Sequence, residues 1–322
     1  MIPKTKSCTN YGDHYNVMKR FVLLAALLVC IGCTHKPLYK DTRVLMGTFV
    51  EVISPDKNAE GIAFEEIKRI EALLSKYNPT SEVSRLNRDG KLTASPETLY
   101  CIKQAKELWR LTDGAFDITI APLITLWGFT DKKYWVPPDA LIKESLKLIG
   151  SEKIAIDEND ATISFGKKGM HIDLGGIAKG YALDCAVKKL KESGITHGLI
   201  NAGGQIYCLG DKYGQPWGVA IKDPRTQGII AHLELKDTAV ATSGDYEQYF
   251  IVDKKRYCHI LNSRTGYPAE SGLSSVTVRA PTGIIADALA TAIFIRGEEE
   301  GKQFILNFPG VTFTVTKKNT NE

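Results

Sequence analysis

The chain has 322 residues, of which 43% are hydrophobic and 24% are charged, and its formal net charge is +4 at pH 7. This composition is typical of a globular protein and shows neither the bias of a disordered chain nor a fibrous repeat. The basic residues are interspersed with nearly as many acidic ones, which argues against a nucleic-acid partner.

A short apolar segment near the N-terminus predicts export. Lys19 and Arg20 precede the sequence FVLLAALLVCIG, which is too short to span a bilayer as a mature helix. The next residue, Cys33, ends a sequence that resembles a bacterial lipobox, in which this cysteine becomes lipid-modified after cleavage. We predict a signal peptide over residues 1–33, with Met18 as an alternative start, and a linker over residues 34–41. An ordinary cleaved signal is the alternative.

Lipidation at Cys33 would tether the protein to a membrane of the bacterial cell envelope, with the folded domain outside the cytoplasm. The cysteines that remain in the folded part are Cys101, Cys185, Cys208 and Cys258. Their spacing includes no C-x-x-C pair and no metal-finger pattern. Whether these cysteines form disulfides stays an open question, because exported proteins meet an oxidising environment.

The hydrophobic pattern of the following residues predicts a mixture of strands and helices. The expected elements are a strand over residues 42–53, helices over residues 61–77 and 95–111, strands around Ile118 and Ile163, and a final helix over residues 283–295 that Gly297 ends. No internal repeat is present. This pattern predicts an α+β fold with mixed sheets and flanking helices.

Residues 171–184, HIDLGGIAKGYALD, predict a strand, a glycine loop and a helix that starts at Lys179 and stops at Gly194. The segment fits neither the Walker pattern nor the dinucleotide-binding fingerprint. Backbone N–H groups at a helix N-terminus attract anions, so a phosphate site is one interpretation. A simple tight turn at the glycines is the other.

Two polar residues on the predicted last helix are candidate magnesium ligands. Asp287 and Thr291 are four residues apart and therefore share one face of that helix. A carboxylate and a hydroxyl are hard oxygen ligands, which Mg²⁺ prefers together with phosphates and water. Alone, such a pair more often indicates an ordinary solvated or capping arrangement.

His259 is a candidate general base. It lies on a predicted strand that leads into the turn Asn262-Ser263-Arg264-Thr265-Gly266. A histidine that titrates near neutral pH can accept the proton of a hydroxyl nucleophile. A structural histidine is the alternative, and Cys258, on the opposite face of the strand, does not form a nucleophile pair with it.

An ordered set of short motifs resembles the FAD:protein FMN transferases, the ApbE-type flavin transferases. The motifs are Met46-Gly47-Thr48, Ala115-Phe116-Asp117, Pro122-Leu123, Leu126-Trp127-Gly128-Phe129, DLGGIAKGY at 173–181, NAGG at 201–204, TSGDY at 242–246, His259-Ile260, Thr265-Gly266 and DALATA at 287–292. Each motif is modest evidence, but their number and order make the resemblance specific.

The resemblance implies an enzyme that binds FAD and Mg²⁺ and transfers FMN to a threonine of an acceptor protein, such as a membrane redox-complex subunit or a similar flavoprotein, releasing AMP. It also implies a T-fold-like catalytic domain over residues 42–322, with an FAD cleft between two interleaved sub-domains. Asp287, Thr291 and the carbonyl of Ala178 would bind the metal, and His259 would be the base. The residues implied to contact the flavin nucleotide are Met46, Tyr77, Ala115, Phe116, Asp117, Gly175, Lys179, Tyr181, Asp245 and Leu261.

This sequence departs from the family pattern beside the implied base. The family often has a second histidine at the position of Cys258, and Asp-Pro at the position of Asn262-Ser263. The alternatives are a Mg²⁺-dependent FAD pyrophosphatase, which releases AMP and FMN to water, and a lipoprotein that binds FAD without chemistry. The presence of His259 together with Asp287 and Thr291 favours an enzyme.

Overall fold

The computed structural model describes residues 37–226 and 228–318. The predicted signal peptide with Cys33 and residues 34–36 of the predicted linker lie outside these residues, and Tyr39, assigned to the linker, begins the first strand. No helix in the described ranges is long and apolar enough to cross a bilayer. From Leu38 onward the chain forms a single unit, and its division into two interleaved sub-domains stays a prediction.

The main sheet has seven strands, and all neighbouring pairs are antiparallel. Across the sheet they are β1 (Tyr39–Leu45), β2 (Thr48–Ser54), β6 (Gly198–Ala202), β7 (Gln205–Leu209), β10 (Thr238–Gly244), β13 (Leu273–Ala280) and β14 (Thr312–Lys317). Strands far apart in sequence are neighbours here, so motifs from distant parts of the chain meet at one end of the sheet.

Three smaller sheets surround the main one. They are β3 (Lys91–Thr93) with β5 (Thr162–Phe165) and β4 (Ile154–Asp157), the hairpin β8 (Trp217–Lys222) with β9 (Ile229–Leu235), and the hairpin β11 (Tyr249–Val252) with β12 (Lys255–Cys258). The β8–β9 hairpin is held to the main sheet by side chains, because Trp217, Val219 and Leu235 pack in one apolar cluster with residues of β6, β7 and β10.

Helices and two 3-10 turns complete the described part of the chain. The helices are α1 (Ala59–Leu74), α2 (Glu82–Asp89), α3 (Pro96–Leu111), α4 (Ala121–Leu126), α5 (Asp139–Leu146), α6 (Ala178–Glu192), α7 (Gly283–Arg296) and α8 (Glu298–Ile305), and the 3-10 turns are Ile118–Ile120 and Ser151–Lys153. Mixed helices and antiparallel sheets confirm the α+β class that the sequence predicts.

Helix α7 lies at the centre of the core. Its sequence is apolar on nearly every side, and it packs against β10, β13 and α6. A helix that is hydrophobic all round is stable only when it is buried all round. Asp287 is therefore a carboxylate on a core helix, with only 4% of its surface exposed.

Several local predictions are wrong. The expected strand over residues 42–53 is a hairpin, because Met46 and Gly47 have φ of 52° and 72° and form the tight turn between β1 and β2. Ile118 begins a 3-10 turn instead of a strand. The helix over Gly283–Arg296 is also not the last one, since α8 follows it directly.

The expected strand before the glycine loop is also absent. The backbone of Ile172 is paired with a side chain: its N–H donates to Asn87 Oδ1 at 2.7 Å, and its carbonyl accepts from Asn87 Nδ2 at 2.9 Å. The next N–H, of Asp173, donates to the carbonyl of Ile118 at 2.7 Å. The segment is extended and its backbone is satisfied without a ladder.

Candidate active site

A cavity of about 920 Å³ lies where the main sheet, the N-terminus of α6 and the β8–β9 and β11–β12 hairpins meet. It gathers most of the side chains that the sequence singles out. The predicted site residues that line it are Met46, Tyr77, Ala115, Phe116, Asp117, Gly175, Lys179, His259, Leu261, Asp287 and Thr291. Ala178 opens α6 immediately before Lys179.

Helices α6 and α7 cross at a pair of glycines, and this crossing places Asp287. A Cβ atom on Gly180 would lie 2.1 Å from the carbonyl oxygen of Gly283, so the two backbones are in direct contact. One turn further along α7, Asp287 Oδ2 accepts a hydrogen bond of 3.1 Å from the N–H of Gly180. The carboxylate is therefore fixed at the N-terminus of α6, and its other oxygen makes no hydrogen bond to the described residues that competes with a ligand.

The oxygen donors around Asp287 fit a magnesium ion. Thr291 Oγ1 lies 3.4 Å from the backbone carbonyl oxygen of Asp287 and 3.2 Å from Ser243 Oγ, and both hydroxyl residues line the same cavity as Asp287. Within residues 37–226 and 228–318 no three His, Cys, Asp or Glu side chains cluster as a metal site. The side-chain donors are instead one carboxylate and two hydroxyls, which are hard ligands and leave coordination positions for phosphates and water.

An ion pair that sequence analysis missed joins two parts of the cavity wall. Lys76 Nζ lies 2.7 Å from Asp173 Oδ2, and Asp173 Oδ1 accepts from the N–H of Gly175 at 2.8 Å. Burial favours the neutral amine, but the attraction of Asp173 and its hydrogen bond outweigh burial and raise the pKa of Lys76. The pair ties the segment that carries Tyr77 to the glycine loop.

Tyr77 stands at the rim of the cavity. Its side chain is 70% exposed, and the ammonium of Lys76 lies 5.1 Å from its ring centroid. The ring is therefore held by a cation–π contact while one face stays available to a planar ligand.

His259 follows β12 and is held by the backbone of Gln248. The backbone N–H of His259 donates to the carbonyl of Gln248 at 3.0 Å, and the ring atom Nδ1 lies 3.2 Å from the same oxygen. A carbonyl oxygen only accepts, so Nδ1 carries the proton and the lone pair is on Nε2. Burial, above all, lowers the pKa of His259 to about 4, so the ring is neutral at physiological pH.

An aromatic cluster supports the hairpin that carries His259. Phe250 of β11 stacks on Tyr257 of β12 at 5.2 Å and on Tyr134 at 5.4 Å, and the edge of Phe129 meets the His259 ring at 6.4 Å. The cluster packs the hairpin against the residues after α4. Leu261 belongs to the same cluster, which places it in the cavity wall.

Two predicted nucleotide-binding residues are not among those that line the cavity. Asp245 is 1% exposed and pairs with Arg225 through two bonds of 2.8 and 2.9 Å, with Arg256 at 3.3 Å and with Lys318 at 3.7 Å. The ring of Tyr181 packs against Tyr100, with centroids 5.5 Å apart. The carboxylate is occupied by ion pairs and the ring packs against another aromatic residue, and contact of either residue with the nucleotide stays a prediction.

Asp117 lines the cavity, but its carboxylate accepts hydrogen bonds from neighbouring residues of the fold. Oδ1 accepts from Thr119 Oγ1 and from Ser151 Oγ, both at 2.7 Å, and the N–H of Thr119 donates to it at 2.9 Å. Burial outweighs these bonds and raises the pKa of Asp117. The residue holds the turn after Phe116 in place, and Phe116 itself packs beside Gly176.

Comparisons with known proteins agree with this geometry. The model of the ApbE family matches residues 46–314. The chain is 34% identical over 297 residues to the FAD:protein FMN transferase of Vibrio cholerae, covering 87% of this chain and 88% of that protein. It is 34% identical over 246 residues to the FAD:protein FMN transferase of Haemophilus influenzae, covering 73% and 71%.

Solved structures show the same similarity. The structure of the ApbE protein of Thermotoga maritima matches with a TM-score of 0.80 and 36% identity, covering 88% of this chain and 98% of that one. The flavin transferase ApbE of Vibrio cholerae matches with a TM-score of 0.76 and 30% identity, covering 88% and 95%.

Proposed function

The chain belongs to the ApbE family, and we propose that it acts as a FAD:protein FMN transferase. The substrates are FAD and an acceptor protein with a target threonine, and the products are the FMN-bearing acceptor and AMP. The observation that carries the proposal is the single cavity in which His259, Asp287, Thr291 and the glycine loop meet.

The reaction needs a proton acceptor beside the threonine hydroxyl. His259 Nε2 carries the lone pair that can take this proton, and the hydroxyl oxygen forms a bond to the phosphorus on the FMN side of the pyrophosphate. The P–O bond to the AMP half breaks, and AMP leaves with the bridging oxygen. Because the pKa of His259 is about 4, the base is in its active form over the whole neutral range.

Binding and orientation fall to the residues around the glycine loop. The dipole of α6 favours an anion at its N-terminus, and Lys179 lies at the same end of the cavity. The N–H groups of Ala178 and Gly180 are already bonded to Leu174 and Asp287. We further propose that Asp287, Thr291 and the carbonyl of Ala178 hold Mg²⁺, which when bound would neutralise the pyrophosphate charge. The hard oxygen donor set supports this assignment.

The location of the reaction is also a proposal. The apolar segment after Lys19 and Arg20 and the lipobox-like sequence ending at Cys33 support a lipid anchor in a membrane of the cell envelope. An acceptor outside the cytoplasm, such as a subunit of a membrane redox complex, would then be within reach of the tethered domain.

A pyrophosphatase is the second candidate. The cavity is open to solvent beside Tyr77, which is 70% exposed, and this observation leaves water access to the same phosphorus. FAD hydrolysis would use the same base and the same oxygen donors, with water in place of the threonine.

The test mixes the purified chain with FAD, Mg²⁺ and an acceptor domain that carries a target threonine. We expect a fluorescent acceptor band that survives SDS denaturation, and its loss with Asp287→Ala. Free FMN and AMP without such a band would favour the pyrophosphatase. If FAD stays intact with the wild type and with Asp287→Ala, the result would favour a protein that binds FAD without chemistry.

A further inference from the structure

The N-termini of helices α6 and α7 each donate hydrogen bonds to a carboxylate of the other helix. Asp287 of α7 accepts from the N–H of Gly180 in the first turn of α6, at 3.1 Å. In return, Asp184 of α6 accepts from the N–H groups of Gly283 at 2.6 Å and Ile284 at 2.9 Å in the first turn of α7. Each helix start therefore donates to an acidic residue of the other helix.

Asp184 replaces a cap that α7 lacks in its own sequence. Thr282 occupies the N-cap position but makes no capping hydrogen bond with its side chain. Its Oγ1 is buried and has no hydrogen-bond partner in the described part of the chain. The free N–H groups at the start of α7 are thus satisfied from α6, through Asp184.

The crossing leaves little freedom for sliding. A Cβ on Gly283 would lie 2.4 Å from the carbonyl oxygen of Gly180, and a Cβ on Gly180 would lie 2.1 Å from the carbonyl oxygen of Gly283. Asp287 and Thr291 follow Gly283 by one and two turns of the same rigid helix. A shift of the start of α7 would move both residues together relative to Ala178.

We propose that Asp184 is a positioning residue of the magnesium site, because it sets the position of α7 and thereby the distances of Asp287 and Thr291 from the carbonyl of Ala178. The inference rests on the proposed function, in which these three residues bind the metal. Residues that orient metal ligands without touching the metal commonly change metal affinity 10- to 100-fold when they are replaced.

The test measures metal binding directly in the purified full chain, with Mn²⁺ followed by EPR in the presence of ADP, which offers a pyrophosphate but no FMN to transfer. In Asp184→Asn the new amide N–H group faces a backbone donor, so α7 loses one of its two bonds. We expect Mn²⁺ affinity to fall by at least about tenfold. FAD binding in EDTA, measured by flavin fluorescence, should stay within about twofold, as remote positioning predicts.

Ser95→Ala is the matched control. Ser95 caps α3 by accepting from the N–H of Thr98, and its loss should lower the melting temperature without changing Mn²⁺ affinity. Asp184→Glu is the second variant, should the asparagine variant not fold. It keeps both acceptors but moves α7 by the length of a methylene, so a folded protein with weakened Mn²⁺ binding is expected.

The outcomes separate the two proposals. If Asp287→Ala loses Mn²⁺ binding while both Asp184 variants bind like the wild type, Asp184 is only a helix cap and the inference is overturned, although the proposed function stands. If Asp287→Ala binds Mn²⁺ normally, the assigned ligand set is wrong and the inference is overturned with it.

Discussion

At the scale of single residues, the proposed general base is His259. Its Nδ1 is directed to the carbonyl of Gln248, so only Nε2 can accept a proton from the acceptor hydroxyl. His259→Gln should lower kcat by about 10²- to 10⁴-fold, the usual contribution of a positioned base. FAD binding, measured by flavin fluorescence, should change little. A variant that loses FAD affinity and keeps kcat would make His259 a binding residue.

The pH dependence follows from the pKa of about 4 for this histidine, whose ordinary value is 6.5. The base should be active above pH 4, so we expect His259 itself to cause no decline in kcat/KM for FAD between about pH 5.5 and 8. A decline with a midpoint near 6.5 would show that the ring is not desolvated during catalysis. Rates of AMP release in overlapping buffers provide the measurement.

The same pKa has a consequence for stability. Between pH 4 and 6.5 the unfolded chain binds a proton at His259 that the folded protein does not, so this contribution to stability is lost as the pH falls. Burial raises the pKa of Asp184 to about 6, so the contribution of this carboxyl group to stability changes with pH in the opposite direction and increases as the pH falls. Urea unfolding of the wild type and His259→Gln at pH 7 and pH 5 isolates the histidine, and the wild type should lose more stability on acidification.

Asp245 is a structural residue by its contacts, and a variant distinguishes this role from nucleotide binding. Asp245→Asn would leave Arg225, Arg256 and Lys318 without their shared carboxylate, which is 1% exposed. We expect a loss of about 3 kcal/mol in the free energy of unfolding. Lys236→Gln, which breaks an exposed pair with Asp211, should change the free energy of unfolding far less. A large loss of FAD affinity with unchanged stability would instead support direct contact with the nucleotide.

At the scale of elements, the crossing of α6 and α7 depends on glycine. Gly180→Ala would drive a Cβ into the backbone of Gly283, and we expect a cost of about 1–3 kcal/mol or more. Gly61→Ala is the control, because Gly61 lies in α1 with no atom within 4 Å of its Cβ position, and there alanine should stabilise by about 0.5–1 kcal/mol. Thermal unfolding of both variants measures the difference, and equal effects would contradict the close crossing.

The elements that sequence analysis predicted correctly carry their own signals. Ser95 and Pro96 mark the start of α3, and Gly194 with φ of 80° ends α6, because caps and stops act on neighbouring residues. The failures involve distant partners. The extended segment at Ile172 is paired by Asn87, 85 residues away, so no local pattern could reveal it.

The turn at Met46 shows a different limit of local signals. Hairpin turns with positive φ favour Asn-Gly and Asp-Gly, and a methionine in the first position gives no such signal. The left-handed conformation of Met46 costs about 1 kcal/mol or more and places the residue in the cavity wall. The local rule is violated at the candidate site, where ligand contact can offset the cost.

At the scale of the whole molecule, much of the candidate site follows from sequence motifs because each motif contributes a short segment to the cavity. What could not be predicted is the connection between segments. The Lys76–Asp173 ion pair joins residues 97 positions apart in the sequence. The hydrogen bond from the N–H of Gly283 to Asp184 joins residues 99 positions apart. Such pairs arise only after the sheet order brings the segments together.

We expect the predicted anchor residue, Cys33, to determine where the molecule works. The unit that begins at Leu38 contains the whole cavity, whereas the predicted anchor residue, Cys33, precedes it. Cys33→Ser should therefore abolish palmitate labelling and move the chain from the membrane to the soluble fraction of the envelope, while the purified variant transfers FMN at the wild-type rate. Unchanged labelling would place the lipid elsewhere. A wild-type chain that is already soluble and unlabelled would instead indicate an ordinary cleaved signal, with the acceptor reached by diffusion.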